Sequence, residues 1–196
     1  MDKIICAGKN YLDHAAEMQE GIPERPVLFL KPPSVLRVCA DWHDVLTMHL
    51  PHLQDEIHYE CELVFQIKKQ ELVAVTLGLD MTNRTLQRQA KQNSGPWTLG
   101  KVFKDAACIG PWLPIPPQQT ELYFEFFLND VLKQKASAGN MRMSPAELLA
   151  YAAVYFPICD GDLLFTGTPA GVGQVQVGDH ARLCLNDLEY AVYFEK

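Results

Sequence analysis

Short apolar runs bounded by Pro, Gly, Asn and Asp recur along the chain and predict β-strands. The clearest of these runs cover residues 26–30, 63–67, 122–128, 163–166 and 190–194. Helical periodicity is less frequent and covers residues 11–19, 82–93 and 144–155. The last helix has a strong start signal, with Ser144 as N-cap, Pro145 as the first helical residue and Glu147 as the partner of the cap. The pattern predicts an α+β, strand-rich fold with a few short helices.

The length of 196 residues predicts a single domain that spans residues 1–196. A hydrophobic share of 48% is ordinary for a globular protein, so no partner is needed to complete a core. Four prolines between residues 111 and 119 indicate a connector between two halves of the fold rather than a domain boundary. Residues 162–178 are rich in glycine, but they lack a Gly-Lys-Ser/Thr ending and a following helical pattern. This excludes a P-loop and a dinucleotide fingerprint.

The formal net charge is −7 and the isoelectric point is near 5.3, and no cluster of Lys and Arg offsets this acidity. We therefore expect neither nucleic acid nor an anionic membrane as the main partner. The six cysteines are scattered without a Cys-x-x-Cys pair, so neither a zinc knuckle nor a redox motif is indicated. No signal-peptide core and no apolar run of membrane-spanning length occur, which predicts a cytoplasmic location.

Three acidic residues stand in apolar surroundings and give the strongest chemical signal. Glu60 and Glu62 are two residues apart in a predicted strand, so their side chains project from one face. Asp80 follows a second apolar run and can supply a third carboxylate. Such carboxylates repel one another unless a cation neutralises them, and their oxygens suit a hard divalent cation such as Mg²⁺ or Mn²⁺. Alternation alone also permits a simpler interpretation, in which Glu60 and Glu62 form the solvent-facing side of an amphipathic strand.

His14 and Glu17 form a second candidate pair, three residues apart in a predicted helix and so on one helical face. A carboxylate that hydrogen-bonds an imidazole orients the ring and raises its basicity, which is what a general base requires. The alternative is a surface histidine that lies next to an unrelated glutamate.

Four further polar residues lie near these signals. Lys31 follows a predicted strand, and Lys101 is a lone cation in an apolar segment. Arg84 and Gln87 share one face of the predicted helix that begins just after Asp80, close enough to contact a carboxylate bound at the metal. Each of the four residues can instead be a solvated surface side chain, which is the commoner outcome for these residue types.

Seven short motifs follow one another along nearly the whole chain. They are Gly8-Lys9-Asn10-Tyr11, His14-x-x-Glu17, Pro26-Val27-Leu28-Phe29-Leu30-Lys31-Pro32, His58-x-Glu60-x-Glu62-Leu63, Leu79-Asp80-Met81-Thr82-x-Arg84-x-x-Gln87, Pro96-Trp97-Thr98-x-x-Lys101-x-Phe103 and Gly161-Asp162-x-x-x-Thr166-Gly167-Thr168-Pro169-x-Gly171-Val172-Gly173. In this order they resemble the fumarylacetoacetate hydrolase superfamily, and most closely its short, single-domain acylpyruvase and oxaloacetate-decarboxylase branch. Each motif alone is weak, but their common order makes a chance similarity implausible.

The resemblance implies a mixed β-sandwich roll, usually a homodimer, with Mg²⁺ or Mn²⁺ held at the positions of Glu60, Glu62 and Asp80. By the same match, His14 and Glu17 correspond to a catalytic dyad on a short lid helix, within the N-terminal segment 1–30. Lys101 matches a catalytic lysine that points into the site. The positions that match residues around the bound oxoacid are Lys31, Arg84, Gln87 and Thr168.

The residues and the resemblance together favour hydrolysis of the C–C bond in small 2,4-dioxoacids of the acylpyruvate or fumarylpyruvate type. In this hypothesis His14, oriented by Glu17, activates water, while the metal and Lys101 stabilise an enolate of pyruvate. Isomerisation, tautomerisation and decarboxylation of oxaloacetate pass through the same enolate and stay open as alternatives. The alternative of another class is a non-catalytic protein that binds a metal or a small acid, or that serves as an oligomer building block.

One segment departs from the family pattern. Between Glu62 and Asp80 the chain is shorter than is usual in the family, which inserts a helix there. Residues 68–71 are short enough to form the turn of a hairpin. Because the three predicted ligands remain, we expect the shortening to alter the pocket wall or the dimer contact rather than the metal site.

Overall fold

A computed structural model describes residues 1–11, 25–51 and 55–196 of the chain. The described residues form three sheets. The largest sheet has seven strands, in the spatial order β2 (Val27–Lys31), β1 (Ile4–Gly8), β12 (Leu163–Phe165), β6 (Cys61–Lys68), β7 (Glu71–Asp80), β9 (Ala107–Ile109) and β3 (Leu36–Val38). The second sheet has five strands, in the order β11 (Val131–Ser137), β10 (Tyr123–Leu128), β14 (His180–Leu185), β15 (Leu188–Glu195) and β4 (Val45–His49). A small sheet contains β13 (Gly173–Gln174), β5 (Ile57–Tyr59) and β8 (Thr82–Asn83).

Helices are few and short, as predicted. In the described residues they are α1 (Arg84–Gln92), α2 (Thr98–Lys101) and α3 (Pro145–Ala153), with 3₁₀ turns at Pro33–Val35, Gln119–Glu121 and Ala138–Asn140. The capping box predicted for α3 is confirmed, because Ser144 Oγ accepts from the amide of Glu147 and the Glu147 carboxylate accepts from the amide of Ser144. The predicted helix over residues 11–19 lies, apart from Tyr11, outside the described residues.

The two large sheets share one hydrophobic core. Phe65 and Leu77 from the seven-stranded sheet belong to the same buried cluster as Phe124 and Val192 from the five-stranded sheet. The proline-rich residues 111–119 connect β9 of the first sheet to β10 of the second. Parallel pairs such as β1 with β12 stand beside antiparallel pairs such as β6 with β7, so the strand-rich fold is a mixed one, as the family resemblance implies.

The β6–β7 hairpin is the central feature of the seven-stranded sheet. Its turn consists of Lys69 and Gln70, which both have positive φ values, 50° and 60°. Two left-handed residues in a two-residue turn match the right-handed twist of the flanking strands, so the short hairpin predicted from the sequence is confirmed. Further along β7, Gly78 allows β9 to approach closely, because a Cβ atom there would lie 2.4 Å from the Cys108 carbonyl oxygen. No helix of the described residues is long and apolar enough to cross a membrane.

Candidate metal and substrate site

The three predicted acidic ligands lie where three strands meet. Glu62 is on β6, paired with Gly78, and Asp80 is the last residue of β7. Glu60 lies between β5 and β6, at the point where the chain passes from the small sheet to the large one. The prediction that Glu60 and Glu62 share one continuous strand therefore needs this correction, because β5 pairs with β8 while β6 pairs with β7. The amide of Asp80 donates to the carbonyl of Glu60 at 2.8 Å, which joins the two segments.

The three carboxylates form one buried cluster. One carboxylate oxygen from each of Glu60, Glu62 and Asp80 lies within 4.8 Å of the others. Their exposed fractions are 7%, 2% and 1%, so the alternative in which Glu60 and Glu62 face solvent is wrong. Three buried carboxylates at this separation are unfavourable unless cations neutralise them.

Lys101 supplies one of these cations. Its Nζ lies 2.8 Å from Glu60 Oε2, 2.6 Å from Asp80 Oδ2 and 2.7 Å from Thr82 Oγ1. The ammonium group also lies 4.7 Å from the centre of the Phe29 ring, a cation–π contact. Burial alone would lower the pKa of Lys101, but the charges of Asp80 and Glu60 outweigh this effect and raise it above its ordinary value. Lys101 therefore stays protonated, which suits electrostatic stabilisation rather than proton abstraction.

Lys31 supplies a second cation at the end of β2. Its Nζ lies 2.6 Å from Asp80 Oδ1 and donates to the carbonyl oxygens of Met81 at 3.0 Å and Ala106 at 2.5 Å. The residue is only 1% exposed. The alternative of solvated surface lysines is thus wrong for both Lys31 and Lys101, because the counter-charges that bury them come from distant parts of the chain.

Arg84 and Gln87 lie on the buried face of α1. Arg84 Nη2 donates to Glu60 Oε1 at 2.7 Å, and Arg84 Nη1 donates to Gln87 Oε1 at the same distance. Both residues are buried, with 9% and 4% exposure, so neither is the surface residue that composition alone would favour. The helix begins here because Asn83 caps it, its side chain accepting from the amide of Leu86. The cap fixes the first turn of α1 against Glu60.

The glycine-rich loop after β12 holds Glu62. The amide of Gly167 donates to Glu62 Oε2 at 2.7 Å. Gly167 has a φ of 96°, and a Cβ atom there would lie 3.0 Å from the Ala7 carbonyl oxygen, so a side chain would be both strained and crowded. Next to it, Thr168 Oγ1 donates to the Cys61 carbonyl and accepts from Gln134 Nε2, each at 2.8 Å. The Thr168 hydroxyl thus ties the loop to β6, and its predicted contact with the oxoacid stays a prediction.

The donor set fits a divalent cation. Burial, together with the neighbouring charges of Asp80 and Glu60, raises the pKa of Glu62 well above its ordinary value, so a further positive charge is needed for this carboxylate to ionise readily. Asp80 Oδ1 receives no well-oriented hydrogen bond from the described residues, although Lys31 lies beside it. Carboxylate oxygens are the ligands preferred by Mg²⁺ and Mn²⁺. Glu60, Glu62 and Asp80 would hold such an ion.

Two predicted site residues are not among the described residues, and two described residues contribute to the site without having been predicted. His14 and Glu17 lie outside the described residues. Thr82 receives a hydrogen bond from Lys101 and Gly167 donates one to Glu62, but no role was predicted for either. Both stand in the quoted motifs, Thr82 two residues after Asp80 and Gly167 directly before Thr168. Their position in these motifs was the only signal that could have found them.

Known proteins resemble the chain over nearly its whole length. The sequence profile of the family described as Fumarylacetoacetate (FAA) hydrolase C-terminal matches residues 3–192. The mitochondrial oxaloacetate tautomerase FAHD1 of Arabidopsis thaliana is 33% identical over 191 residues, covering 90% of this chain and 82% of the relative. The oxaloacetate tautomerase YcgM of Escherichia coli (strain K12) is 30% identical over 195 residues, covering 91% of this chain and 86% of the relative.

A solved structure of a similar protein has the same fold. The crystal structure of fumarylpyruvate hydrolase from Pseudomonas aeruginosa in complex with Mn²⁺ and pyruvate superposes with a TM-score of 0.90 at 30% identity. The likeness covers 100% of this chain and 91% of that one. The fold predicted from the motif resemblance is therefore confirmed.

Proposed function

The chain belongs to the fumarylacetoacetate hydrolase family, and we propose that it is a divalent-metal-dependent enzyme that acts on small 2-oxoacids through an enolate. The observation that carries this proposal is the buried cluster of Glu60, Glu62 and Asp80, surrounded by Lys31, Lys101 and Arg84. A fold-stabilising ion site would not need three further cations at the same carboxylates. A ligand with several negative charges would make use of them.

Some residues around the cluster would orient the acidic ligands, and others would stabilise the enolate. A divalent cation bound at the cluster would supply positive charge beside the oxygens of the oxoacid, which favours the enolate. Lys101 adds a second positive charge, and its contacts with Glu60, Asp80 and Thr82 fix where that charge lies. Arg84 donates to Glu60 Oε1, the carboxylate oxygen that Lys101 does not contact, and so fixes the orientation of this carboxylate. Gly167 fixes Glu62 through its amide, so each acidic ligand is oriented by at least one donor.

We propose keto–enol tautomerisation of oxaloacetate as the leading reaction. A base removes a proton from C3, the electron pair moves to the 2-oxo oxygen, and protonation of that oxygen gives the enol; return of the proton to C3 reverses the reaction. His14, oriented by Glu17, is the base that the motif match assigns. Two relatives at 30% and 33% identity are oxaloacetate tautomerases, which supports this reaction above the hydrolysis favoured by the sequence alone.

Hydrolysis of a C–C bond in acylpyruvates or fumarylpyruvate is the second candidate. The similar structure from Pseudomonas aeruginosa is a fumarylpyruvate hydrolase, and its complex contains pyruvate, the acid that such a cleavage would release. In this reaction water adds to the C4 carbonyl and gives up a proton, the C3–C4 bond breaks so that C4 leaves as a carboxylic acid, and the enolate of pyruvate takes up that proton at C3. Both candidates need the same enolate, so the proton-transfer residues and the pocket wall decide between them.

The experiment that tests the proposal supplies oxaloacetate, fumarylpyruvate and acetylpyruvate to metal-stripped protein reloaded with Mg²⁺ or Mn²⁺. Product analysis separates enol–keto conversion, release of CO₂ and release of pyruvate with a free acid. Metal-dependent turnover that is lost in Glu60→Gln and His14→Ala supports the proposal. Metal binding without turnover of any of these acids would instead favour a binding or structural protein.

Quaternary structure and location remain predictions. We propose a homodimer, as the motif match implies, and the molecular mass in solution tests it. The Arabidopsis relative is mitochondrial by name, so the cytoplasmic location expected from the sequence is a proposal that localisation of the tagged protein would test.

A further inference from the structure

Gln134 is a buried polar residue that lies outside the sequence motifs of the site. It belongs to β11 of the five-stranded sheet and is 1% exposed. Its side-chain amide reaches the seven-stranded sheet and the glycine-rich loop, where it makes three hydrogen bonds close in sequence to the proposed metal ligands. Glutamine is seldom buried unless its amide finds such partners, so these bonds determine where the side chain lies.

The side-chain amide of Gln134 has only one possible orientation. Its Oε1 accepts from the amide of Cys61 at 3.0 Å, and its Nε2 donates to the carbonyl of Pro169 at 2.9 Å. Because a backbone N–H only donates and a carbonyl only accepts, an exchange of the two ends would break both bonds. Nε2 also donates to Thr168 Oγ1 at 2.8 Å, and the Thr168 hydroxyl in turn donates to the Cys61 carbonyl at 2.8 Å.

These hydrogen bonds form a closed ring around Cys61, the residue between Glu60 and Glu62. The Cys61 amide donates to Gln134, Gln134 donates to Thr168, and Thr168 donates back to the Cys61 carbonyl. Cys61 is fully buried, so neither of its backbone groups can bond to water instead. The neighbouring strand β12 ends before it reaches Cys61. Two side chains therefore take the place of a paired strand at this point of β6.

The ring holds both peptide groups that join Glu60 to Glu62. The first contains the Glu60 carbonyl, which accepts from the amide of Asp80 at 2.8 Å, and the Cys61 amide, which donates to Gln134. The second contains the Cys61 carbonyl, which is held by the threonine of the ring. Rotation of either peptide group would move one carboxylate relative to the other two. The bonds of the ring thus oppose a change in the separation of the three proposed ligands.

We propose that Gln134 is a positioning residue, whose side-chain amide keeps the segment from Glu60 to Glu62 in the conformation that brings both carboxylates to Asp80. By this means the five-stranded sheet, which carries none of the three carboxylates, sets the geometry of the metal site. The inference rests on the proposed function only for the binding of a divalent cation at the cluster. The competing explanation is a buried glutamine that stabilises the contact between the two sheets and has no influence on the metal site.

Gln134→Met removes the side-chain amide and keeps a similar length and volume. The Cys61 amide then loses its acceptor while still buried, so we expect the peptide group between Glu60 and Cys61 to rotate. The Kd of Mn²⁺ for the metal-stripped protein, measured by titration calorimetry, should rise about tenfold, the lower end of the range for residues that orient metal ligands. The electron paramagnetic resonance spectrum of bound Mn²⁺ should also change, because it depends on the arrangement of the ligands.

Tyr190→Phe is the matched control. Tyr190 is a buried residue of β15, and its hydroxyl donates to the Leu77 carbonyl on β7 at 2.9 Å, so it also joins the five-stranded sheet to the seven-stranded one. Its loss should lower the melting temperature but leave the Kd and the spectrum of Mn²⁺ as in the wild type. A folded Gln134→Met variant that behaves in the same way would overturn the proposal.

Thr168→Val tests the same ring by a smaller change and carries the test if Gln134→Met does not fold. Valine has the shape of threonine but lacks the hydroxyl, so the Kd of Mn²⁺ should rise about fivefold, the equivalent of one hydrogen bond. A wild-type Kd in Thr168→Val would contradict the proposal. In the double variant the two effects should not be independent, because both substitutions break one ring. Independent effects on the Kd would also contradict it.

The outcomes separate this inference from the proposed function. Normal turnover of an oxoacid by the wild type, with an unchanged Mn²⁺ Kd in Gln134→Met and Thr168→Val, would reject only the role of Gln134. If the wild type binds Mn²⁺ but turns over no oxoacid, and Gln134→Met raises the Kd, the proposed reaction fails while the role of Gln134 is supported. A wild type that binds no Mn²⁺ would reject both.

Discussion

Buried carboxylates lie near both ends of the parallel strand pair β1 and β12, but the two ends are built differently. Before these strands begin, Lys3 pairs with Asp162 at 2.8 Å. Beyond their last residues, Tyr11 follows β1 and Gly167 follows β12. The amide of Gly167 donates to Glu62. One end thus carries Lys3, paired with the buried Asp162 and the exposed Asp2, and the other leads to the acidic cluster.

The ion pair is complete. Asp162 Oδ1 accepts from the amides of Asp2 and Lys3, and Asp162 Oδ2 accepts from Lys3 Nζ and the amide of Cys159. No atom of this carboxylate is left for a ligand. Because the bonds of this carboxylate are all made within the fold, we expect the Lys3–Asp162 pair to contribute to stability alone.

The acidic cluster is incomplete in this sense. Three cations surround three carboxylates, yet among the described residues Asp80 Oδ1 receives no well-oriented hydrogen bond, although Lys31 lies 2.6 Å from it. Buried charge alone therefore does not mark a functional site in this protein. The acidic cluster differs from the ion pair because one of its buried polar atoms receives no well-oriented hydrogen bond from the described residues. Four predictions test this difference.

The largest effect is expected for Asp162→Ala, and it should be on stability only. Removing one member of a buried pair costs about 3–5 kcal/mol, because Lys3 loses its buried counter-charge and keeps only the exposed Asp2 as a partner. Chemical denaturation should show this loss in the free energy of unfolding. Mn²⁺ affinity and turnover per folded molecule should match the wild type; a loss of Mn²⁺ binding by folded Asp162→Ala would mean that the two ends are not independent.

Glu60→Gln should lower metal affinity and turnover strongly and change stability little. Even residues that merely orient a metal ligand cost 10–100-fold when lost, so loss of a ligand should lower Mn²⁺ affinity and kcat/KM by more than about a hundredfold. The free energy of unfolding without metal should change much less than in Asp162→Ala. Titration calorimetry and denaturation of the same preparations check both statements. Wild-type Mn²⁺ affinity in Glu60→Gln would remove Glu60 from the ligand set.

Lys101→Met tests the role of the positive charge of Lys101 and leaves the three proposed metal ligands in place. We expect kcat to fall about ten- to a hundredfold, because one charged hydrogen-bond donor near the developing enolate is lost. Mn²⁺ should still bind, since the three carboxylates are intact. Lys104→Met is the control, because Lys104 is exposed and close in sequence. Equal kcat in both variants would show that Lys101 serves only to neutralise Glu60 and Asp80 during folding.

The smallest expected effect is the pH dependence of the stability that the Lys3–Asp162 pair contributes. Burial alone would raise the pKa of Asp162, but bonds from Lys3 and three backbone amides outweigh it and lower the pKa. Its contribution to stability is therefore present above the unfolded value of about 4 and is lost as the pH falls through the lower folded value. The stability difference between wild type and Asp162→Asn should be constant near neutral pH and shrink below about pH 4. A difference that stays constant down to pH 3 would contradict this assignment.

The local elements could be predicted from the sequence because their causes are local. The capping box of Ser144 and Glu147 and the two-residue turn of the β6–β7 hairpin depend on neighbours within a few residues. The break of the strand at Glu60 could not be predicted, because it arises from pairing of β5 with β8.

The burial of the cationic side chains could not be predicted either. Lys31 meets Asp80 across 49 residues of sequence, and Lys101 meets Glu60 across 41. Single-residue statistics assign both lysines to the surface, and only the motif order pointed to the site. The Lys3–Asp162 pair, 159 residues apart, gave no signal of its own, although Asp162 stands in the last motif.

The most direct test of the central claim is the anomalous diffraction signal of manganese in crystals of the wild-type protein grown with Mn²⁺. The account predicts one strong peak per chain, between the carboxylates of Glu60, Glu62 and Asp80, and its loss in Glu60→Gln crystals. No peak at these carboxylates, or a peak elsewhere that persists in Glu60→Gln, would contradict it.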